Sequence, residues 1–328
     1  MRVSERLADA RESLQGLTGR QLGFAAATAG AVAFSGKAIV AKLMYRLGAD
    51  AVSTVGMRMA YALPLFAALA WWVSRSEEAR RTPLGRRDAW QVAALGFCGY
   101  YLASTLDFLG LQYISASLER AILYLNPTLV LLLSVVFLGH RVRWAAVGAM
   151  ALAYAGVVVV FLHDLSSLHL GVHVAAGWHD VLLGGALVFA SALSYAVYLM
   201  GSGTLVQRLG SLRLVSYASC MACVLCIVQW VVVHQVSGGQ AGGWAHLPWQ
   251  AHALSVLNAV ACTVLPIWLV MQGVKHLGAS MASQVGMIGP LSTLWMASVW
   301  LGEPITPQLL LGTAAILGGV VLLARVKG

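Results

Sequence analysis

The sequence predicts an all-α membrane protein with ten transmembrane helices arranged as two inverted five-helix repeats. Three observations support this fold class: the composition, an internal duplication, and the distribution of basic residues among the loops. Of the 328 residues, 59% are hydrophobic and 10% are charged, and the mean hydropathy is +0.79. Because a globular protein carries about 25% charged residues, this composition excludes an ordinary soluble domain.

Ten apolar runs are each long enough to cross a bilayer as a helix, which takes about 20 residues. They cover residues 20–43, 51–74, 89–110, 115–138, 143–163, 180–201, 212–236, 251–274, 279–301 and 306–325. Of the 21 lysines and arginines, 16 lie in the N-terminal segment, in the loops after spans 2, 4, 6 and 8, or at the C-terminus. Positively charged loops stay in the cytoplasm, so we expect both termini there.

One stretch of the chain, Gly110–Gly156, recurs 163 positions later as Gly273–Gly319. Positions that match without a gap include Gly110/Gly273, Ala116/Ala279, Ser117/Ser280, Pro127/Pro290, Leu138/Leu301, Gly139/Gly302 and Gly156/Gly319. Such a duplication indicates two copies of one structural unit. Because each copy holds an odd number of spans, the second copy must enter the bilayer from the opposite face.

These observations divide the chain into four parts. Repeat 1 is expected over residues 20–163 and repeat 2 over 180–328, with an external linker at 164–179. Residues 1–19 are polar and charged, unlike a secretory signal, and an apolar helical stripe runs from Val3 to Leu17. We expect a helix lying on the cytoplasmic surface of the membrane, the alternative being a frayed tail.

A proline in the middle of spans 4 and 9 is the most distinctive feature of each copy. Pro127 and Pro290 each follow a small-Ala-Ser step and precede a turn, which reads Gly-Glu in the second copy. With its Gly-rich last helix, this pattern resembles the EamA repeat of the drug/metabolite transporter superfamily, from about residue 20 to the end. The first copy departs from it, with His140 where the second has Glu303. The resemblance implies a ten-helix transporter, in which we expect the prolines to act as hinges.

Charged residues inside the spans are the candidate functional residues. They are Lys37, Arg58, Asp107, Glu119 and Arg120. Each charge costs about 2.5–3.5 kcal/mol at the bilayer centre on insertion scales, so these side chains should be paired or should face water. At 1.5 Å per residue, four helices bring them to one level, about 5–10 Å below the outer surface. Their equivalents in repeat 2 are not ionisable: Leu199, Cys220, Val270, Ala282 and Ser283.

We predict that these five residues bind the substrate. Two alternatives stay open: a structural ion-pair network that fixes helix register, and a network that closes the outer gate in one state. The five charges sum to +1, which leaves positive charge for an anionic or zwitterionic ligand. Lys37 is the expected ligand contact, because an ammonium group suits a contact that forms and releases. The alternative is that Lys37 is a purely structural partner of Asp107 or Glu119.

Neighbouring basic residues are expected to have other roles. Arg58 and Arg120 suit bidentate pairs with the two carboxylates. Lys42 is expected to extend its ammonium group to the outer headgroups. Trp295 lies deeper than the tryptophans at the span ends and is a further candidate for the substrate site. For Trp295 a lipid-facing or packing role is the favoured alternative.

No metal site or cofactor is expected. Cys220, Cys223 and Cys226 share a helix ridge but lack a His or carboxylate partner on that helix, so they are interpreted as apolar filler. His169 and His173 have the i, i+4 spacing that can hold a metal. The alternative for these histidines, and the favoured one, is that they are polar residues of the headgroup region.

The sequence therefore predicts a secondary transporter of the bacterial inner membrane type. Its substrate is expected to be a small metabolite, carboxylate-bearing or zwitterionic and resembling an amino acid, moved by alternating access. No HExxH or GxSxG motif indicates an enzyme, and the placement of the basic residues does not favour nucleic acid as a partner. A homodimer is compatible with the sequence. The alternative function is a non-transporting membrane sensor or scaffold.

Overall fold

The structure is a computed structural model that describes residues 2–77, 79, 82–139, 144–166, 177–236, 246–277 and 279–327. These residues are almost entirely helical, and no β-strand occurs among them. The first copy comprises α1 (Arg2–Arg46), α2 (Ala51–Ser74), α3 (Arg86–Leu111), α4 (Ala116–Leu123 and Asn126–Leu138) and α5 (Trp144–Ser166). The second comprises α6 (Trp178–Leu209), α7 (Ser211–Val236), α8 (Trp249–Leu277), α9 (Ala279–Gly286, Gly289–Met296 and Ala297–Leu301) and α10 (Pro307–Lys327).

Nine helices of the described chain are long and apolar enough to cross a membrane. The remaining predicted span, 279–301, is α9, which is helical but divided into three short segments and is not among the nine. The count of ten membrane-crossing helices therefore stays a prediction. The segment expected at residues 1–19 as a separate helix is continuous with the first span in α1.

The predicted external linker is only partly described. α5 extends to Ser166 and α6 begins at Trp178, so the linker is at least two residues shorter at each end than expected. Residues 167–176, including His169 and His173, lie outside the described part of the chain, as does His140.

Helix packing follows a two-fold relation between the copies. α1 packs on α8, and the equivalent pair α6 and α3 packs in the same way. α2 packs on α7, and α5 packs on α10. The two helices of each pair are equivalent in the two copies, so the two-fold relation maps each contact onto itself. The duplication seen in the sequence is therefore also a duplication of packing.

Glycines that match between the copies mark the closest helix contacts. A Cβ atom at Gly156 of α5 would lie 2.6 Å from the carbonyl oxygen of Gly312 in α10. The equivalent contact is between Gly319 and Ala149, where a Cβ would again meet a carbonyl oxygen at 2.6 Å. Close approach through small residues is how membrane helices associate, which explains why both copies carry this glycine.

α4 and α9 are both broken near their middle, at equivalent positions. The first half of α4 ends at Leu123 and the second begins at Asn126, while α9 is interrupted between Gly286 and Gly289. Each proline lies in the first turn of the second half-helix, where its missing N–H is not needed. The prolines therefore start new half-helices instead of kinking a continuous one.

A π-helical turn interrupts α3 and α8, again at equivalent positions. The turns are Phe97–Leu102 and Val260–Val264, which begin 163 residues apart. Such turns are rare and concentrate at functional sites. Here each one occurs where its helix reaches the cavity between the two copies.

Candidate functional site

A cavity of about 340 Å³ lies between the two copies. Its wall is built by α1–α4 of the first copy and by α6–α8 of the second. Hydroxyl and aromatic side chains contributed by both copies line much of it. Four of the five predicted charged residues also line it, namely Lys37, Arg58, Asp107 and Arg120. The fifth, Glu119, lies directly behind this wall.

Lys37 joins the two carboxylates of the cluster. Its Nζ atom lies 2.5 Å from Oδ2 of Asp107 and 3.5 Å from Oε1 of Glu119. All three residues are buried, and Glu119 is 0% exposed. We call these three residues the Lys37 triad. The triad brings α1, α3 and α4 together inside the predicted membrane.

Arg58 of α2 is held by a hydroxyl group and an aromatic ring. Its terminal nitrogen donates to Oγ of Ser104 at 3.2 Å, and its guanidinium carbon lies 4.6 Å from the centre of the Phe108 ring. The residue is 3% exposed, and its Nε atom makes no hydrogen bond within the described chain. Its charge is therefore buried while part of its donor capacity is unused.

Arg120 of α4 is held in a similar way. Its Nε atom donates to Oγ1 of Thr293 at 3.1 Å, and a terminal nitrogen donates to the carbonyl oxygen of Phe34 at 3.2 Å. The Phe34 ring lies 5.7 Å from the guanidinium carbon. Arg120 thus connects the broken helix of the first copy to the broken helix α9 of the second.

The pairing within the cluster differs from the sequence-based expectation. Arg58 and Arg120 were predicted to hold the carboxylates and Lys37 to be free for a ligand. Instead Lys37 holds both carboxylates, and among the described residues neither guanidinium has a carboxylate within 4.0 Å. The sequence gives the depth of each charge in its helix but not the direction in which the side chain points.

The start of α4 is capped by two buried carboxylates that the sequence did not identify as partners. Asp164 accepts a hydrogen bond from the backbone N–H of Ser115 at 3.0 Å. Glu303 accepts from the backbone N–H of Ala116 at 3.0 Å and from the hydroxyl of Ser117 at 2.9 Å. Negative charge is favourable at a helix N-terminus. Both the Ala-Ser step, which holds Ala116 and Ser117, and the Gly-Glu turn, which holds Glu303, are visible in the sequence. Their contact with each other was not predicted.

Hydrogen bonds also join the two helix breaks. The Tyr124 hydroxyl, at the break of α4, donates to the carbonyl oxygen of Gly286 at the break of α9, at 2.8 Å. Ser35 of α1 donates to the carbonyl oxygen of Gly289 at 2.9 Å. The Tyr124 hydroxyl thus satisfies the Gly286 carbonyl group, which Pro290 has no N–H to reach, as a membrane interior requires. The bond from Ser35 holds the start of the next segment of α9 against the first copy.

Trp295 lies away from the cavity. Its side chain is 57% exposed, and its ring packs edge-on against Trp300 with 5.9 Å between ring centres. It is not among the residues that line the cavity wall. The favoured alternative for Trp295, a lipid-facing or packing role, agrees with this position.

The described histidines and cysteines make local contacts. His234 lies 3.2 Å from the Ser53 hydroxyl and His252 lies 3.2 Å from the Tyr61 hydroxyl. Cys223 and Cys226 are buried in the core near α2. Within the described part of the chain, no group of three His, Cys, Asp or Glu side chains is placed to hold a metal ion.

Comparison with known proteins places these features in a family. Residues 21–162 and 182–325 each match the EamA-like transporter family. The chain is 28% identical over 282 residues to the uncharacterized transporter YcbK of Bacillus subtilis, covering 84% of this chain and 83% of the relative. It is 25% identical over 281 residues to a probable terminal-alkyne amino-acid exporter of Streptantibioticus cattleyicolor, covering 85% of this chain and 87% of the relative.

A solved crystal structure supports the fold. It superposes with a TM-score of 0.56 at 17% identity, covering 94% of this chain and 98% of its own. The two family matches coincide with the two copies found in the sequence and in the helix packing. The chain therefore belongs to the EamA-like transporter family and is a multi-pass membrane transporter built from two such repeats.

Proposed function

We propose that the chain is a secondary transporter of a small carboxylate-bearing or zwitterionic metabolite resembling an amino acid. The observation that carries this proposal is the cavity between the repeats, in which Arg58 and Arg120 are buried without a carboxylate partner among the described residues. An unpaired buried cation is costly. A ligand carboxylate would remove that cost by accepting hydrogen bonds from the guanidinium groups.

The size and lining of the cavity support a small ligand. Ligand pockets generally span about 300–1,000 Å³, and this cavity, at about 340 Å³, is near the lower end. Phe34 and Phe66 supply apolar surface, and Tyr100, Tyr195 and Asn126 supply polar groups. This mixture suits a molecule with one charged end and a small apolar or polar body. The name of the Streptantibioticus relative, an amino-acid exporter, is consistent with this class.

Alternating access is supported by contacts between the copies at both ends of the cavity. On the predicted outer side, Arg46 donates to the carbonyl oxygen of Leu301 and Glu303 caps α4. On the predicted inner side, Arg208 pairs with Asp88 at 2.8 Å. Each set of contacts would open in turn as one repeat rocks against the other. The breaks before Pro127 and Pro290 would act as the hinges.

The same proposal places the protein in the bacterial inner membrane with both termini in the cytoplasm. It takes the two repeats to be inverted, because positive loops stay inside and each repeat contributes five spans.

The test is binding of a graded ligand series to the purified protein. An amino acid, its amide and its decarboxylated amine are compared by thermal shift, starting from a panel of amino acids. We expect the amino acid to bind and the two analogues without a carboxylate to bind about 10–150-fold more weakly, which corresponds to losing one charged hydrogen bond. Arg58→Met and Arg120→Met should cause a similar loss for the amino acid.

Lys42→Met is the matched control, because Lys42 is a basic residue of the same membrane region that does not line the cavity. We expect it to leave binding unchanged. Equal affinity of the wild-type protein for all three analogues would refute the carboxylate site.

A further inference from the structure

The Lys37 triad contains one cation for two carboxylates. Glu119 is fully buried, and neither of its carboxylate oxygens accepts a hydrogen bond from the described chain. Oδ1 of Asp107 also lacks a donor, while its Oδ2 is held by Lys37. Three carboxylate oxygens inside the predicted membrane are therefore without a hydrogen-bond donor.

This arrangement favours the binding of one more proton. A buried ionised carboxylate without hydrogen bonds is very costly, and two adjacent carboxylates beside one ammonium carry a net charge of −1. The two carboxyl groups are adjacent, because an oxygen of each lies within ion-pair distance of the same Nζ atom of Lys37, at 2.5 Å for Asp107 and 3.5 Å for Glu119. A proton taken from solvent would form an O–H bond on one of them and donate to the other. The triad would then be neutral, and the contact between Lys37 and Asp107 would not need to break.

We propose that Asp107 and Glu119 form a proton-binding site that couples transport to the proton gradient. The proposal rests on the proposed transport function, because coupling requires a transported substrate. The site exists only in the first copy, since the equivalents of Asp107 and Glu119 in the second copy are Val270 and Ala282. We therefore expect one proton site per chain.

The other acidic groups and the tyrosine near the pair are engaged in hydrogen bonds elsewhere. On α5 and on the loop before α10, Asp164 and Glu303 accept hydrogen bonds at the start of α4. On α1, Tyr45 donates to the carbonyl oxygen of Phe108 at 2.8 Å. The remaining charges facing this region are those of Lys42 on α1, Arg58 on α2 and Arg120 on α4. Among the described groups, Lys37 is the one cation within ion-pair distance of the two carboxylates.

Two aromatic rings connect the triad to the arginines of the cavity. The Phe108 ring lies 5.6 Å from Nζ of Lys37 and 4.6 Å from the guanidinium carbon of Arg58. The Phe34 ring lies 5.8 Å from Nζ of Lys37 and 5.7 Å from the guanidinium carbon of Arg120. A change in the charge of the triad should therefore change the electrostatic potential at the proposed carboxylate site, because little solvent lies between the two to screen it.

The sign of this coupling follows from charge. Binding a proton raises the charge of the triad by one and so increases the attraction of the cavity for a carboxylate. Proton and substrate should therefore favour each other's binding, and by linkage each should strengthen the other by the same factor. Typical coupling between sites is about 5- to 150-fold, and we expect the substrate affinity to rise on acidification by a factor in that range.

The first test detects the bound proton directly. Infrared spectra of the purified wild-type protein, recorded across a pH titration, should show the band of a protonated buried carboxyl group. Glu119→Gln should remove this band, because the pair then has one carboxylate, which Lys37 neutralises. Asp88→Asn is the matched control, since Asp88 pairs with Arg208 away from the cavity, and it should retain the band.

The Glu119→Gln variant is expected to fold, because the pair of Lys37 and Asp107 stays intact, and its thermal unfolding verifies this. Absence of the band from wild-type protein, or its persistence in Glu119→Gln, would overturn the proton site. Asp107→Asn provides a second variant with the same expectation.

The second test is flux into proteoliposomes with and without a pH gradient. We expect the gradient to drive accumulation by wild-type protein and to have no effect on the rate of uptake by Glu119→Gln. If flux through the wild-type protein does not depend on the gradient, the coupling of transport to protons is wrong, while the transport proposal stays intact. A carboxyl band without any flux would instead refute the transport function and leave the proton site standing.

Discussion

Lys37 and its two carboxylate partners are not equivalent, although all three belong to one ion-pair cluster. Removing one carboxylate leaves Lys37 paired with the other, because its Nζ atom already lies 2.5 Å from Asp107 and 3.5 Å from Glu119. Removing Lys37 leaves two adjacent carboxylates without a cation. Lys37 is therefore expected to matter more for stability than either carboxylate alone.

Lys37→Met should lower the stability of the folded protein by about 3–5 kcal/mol, the cost of breaking a buried ion pair from one side. Glu119→Gln should have a much smaller effect, because a neutral pair remains. Thermal unfolding in detergent measures both. A second change, Lys37→Met combined with Asp107→Asn, should recover part of the loss, and strict additivity of the two changes would show that these residues do not interact.

The charged residues illustrate what a sequence can and cannot predict about a site. Their depth in the bilayer follows from counting residues along each helix, and the structure does bring all five together. Their partners depend on how each helix is rotated about its axis, which depends on packing with helices from both copies. Arg120, for example, donates to Thr293 of the second copy, and no local pattern around either residue indicates this contact.

At the level of helices, the breaks in α4 and α9 distinguish this fold from a simple bundle. The matched prolines predicted irregular helices at these two places, and both breaks occur immediately before them. The π-helical turns of α3 and α8 were not predicted, because they have no proline or other clear marker. Their equivalence, at residues 97–102 and 260–264, becomes visible only when the structures of the two copies within this chain are compared.

Tyr124→Phe tests the connection between the two broken helices. It removes the hydrogen bond from the Tyr124 hydroxyl to the carbonyl oxygen of Gly286 and should cost about 0.5–1.5 kcal/mol in stability. Tyr154→Phe is the matched control, because the Tyr154 hydroxyl accepts a longer hydrogen bond of 3.5 Å from Thr128, within the first copy. If both variants unfold at the same temperature as wild type, the breaks are held by other contacts.

At the scale of the whole molecule, the internal duplication predicted most of the architecture. Gly156 and Gly319, which match in the sequence, recur as close helix contacts. Gly139 and Gly302, which also match, recur as left-handed turns with φ of +65° and +75°. The family matches cover the same two units. The asymmetry of charge was also readable from the sequence, since the second copy lacks ionisable residues at the equivalent positions. The connections between copies, by contrast, required the structure.

The orientation of the repeats is a prediction about the whole chain. A reporter enzyme that is active only outside the cytoplasm should be active when fused after Gly177 and inactive when fused after Gly85. These residues lie in loops that the basic-residue distribution assigns to opposite sides. Activity after Gly85 would reverse the assignment of every later span and remove the support for inverted repeats.

The central claim, that the cavity carries a carboxylate-bearing substrate across the membrane, is tested most directly by counterflow in proteoliposomes. Vesicles that contain the purified protein are loaded with the amino acid that binds in the thermal-shift panel, and uptake of the labelled compound is followed. We predict transient accumulation by wild-type protein and by Lys42→Met, and none by Arg58→Met. Tight binding without counterflow would contradict transport and would favour a membrane sensor or scaffold.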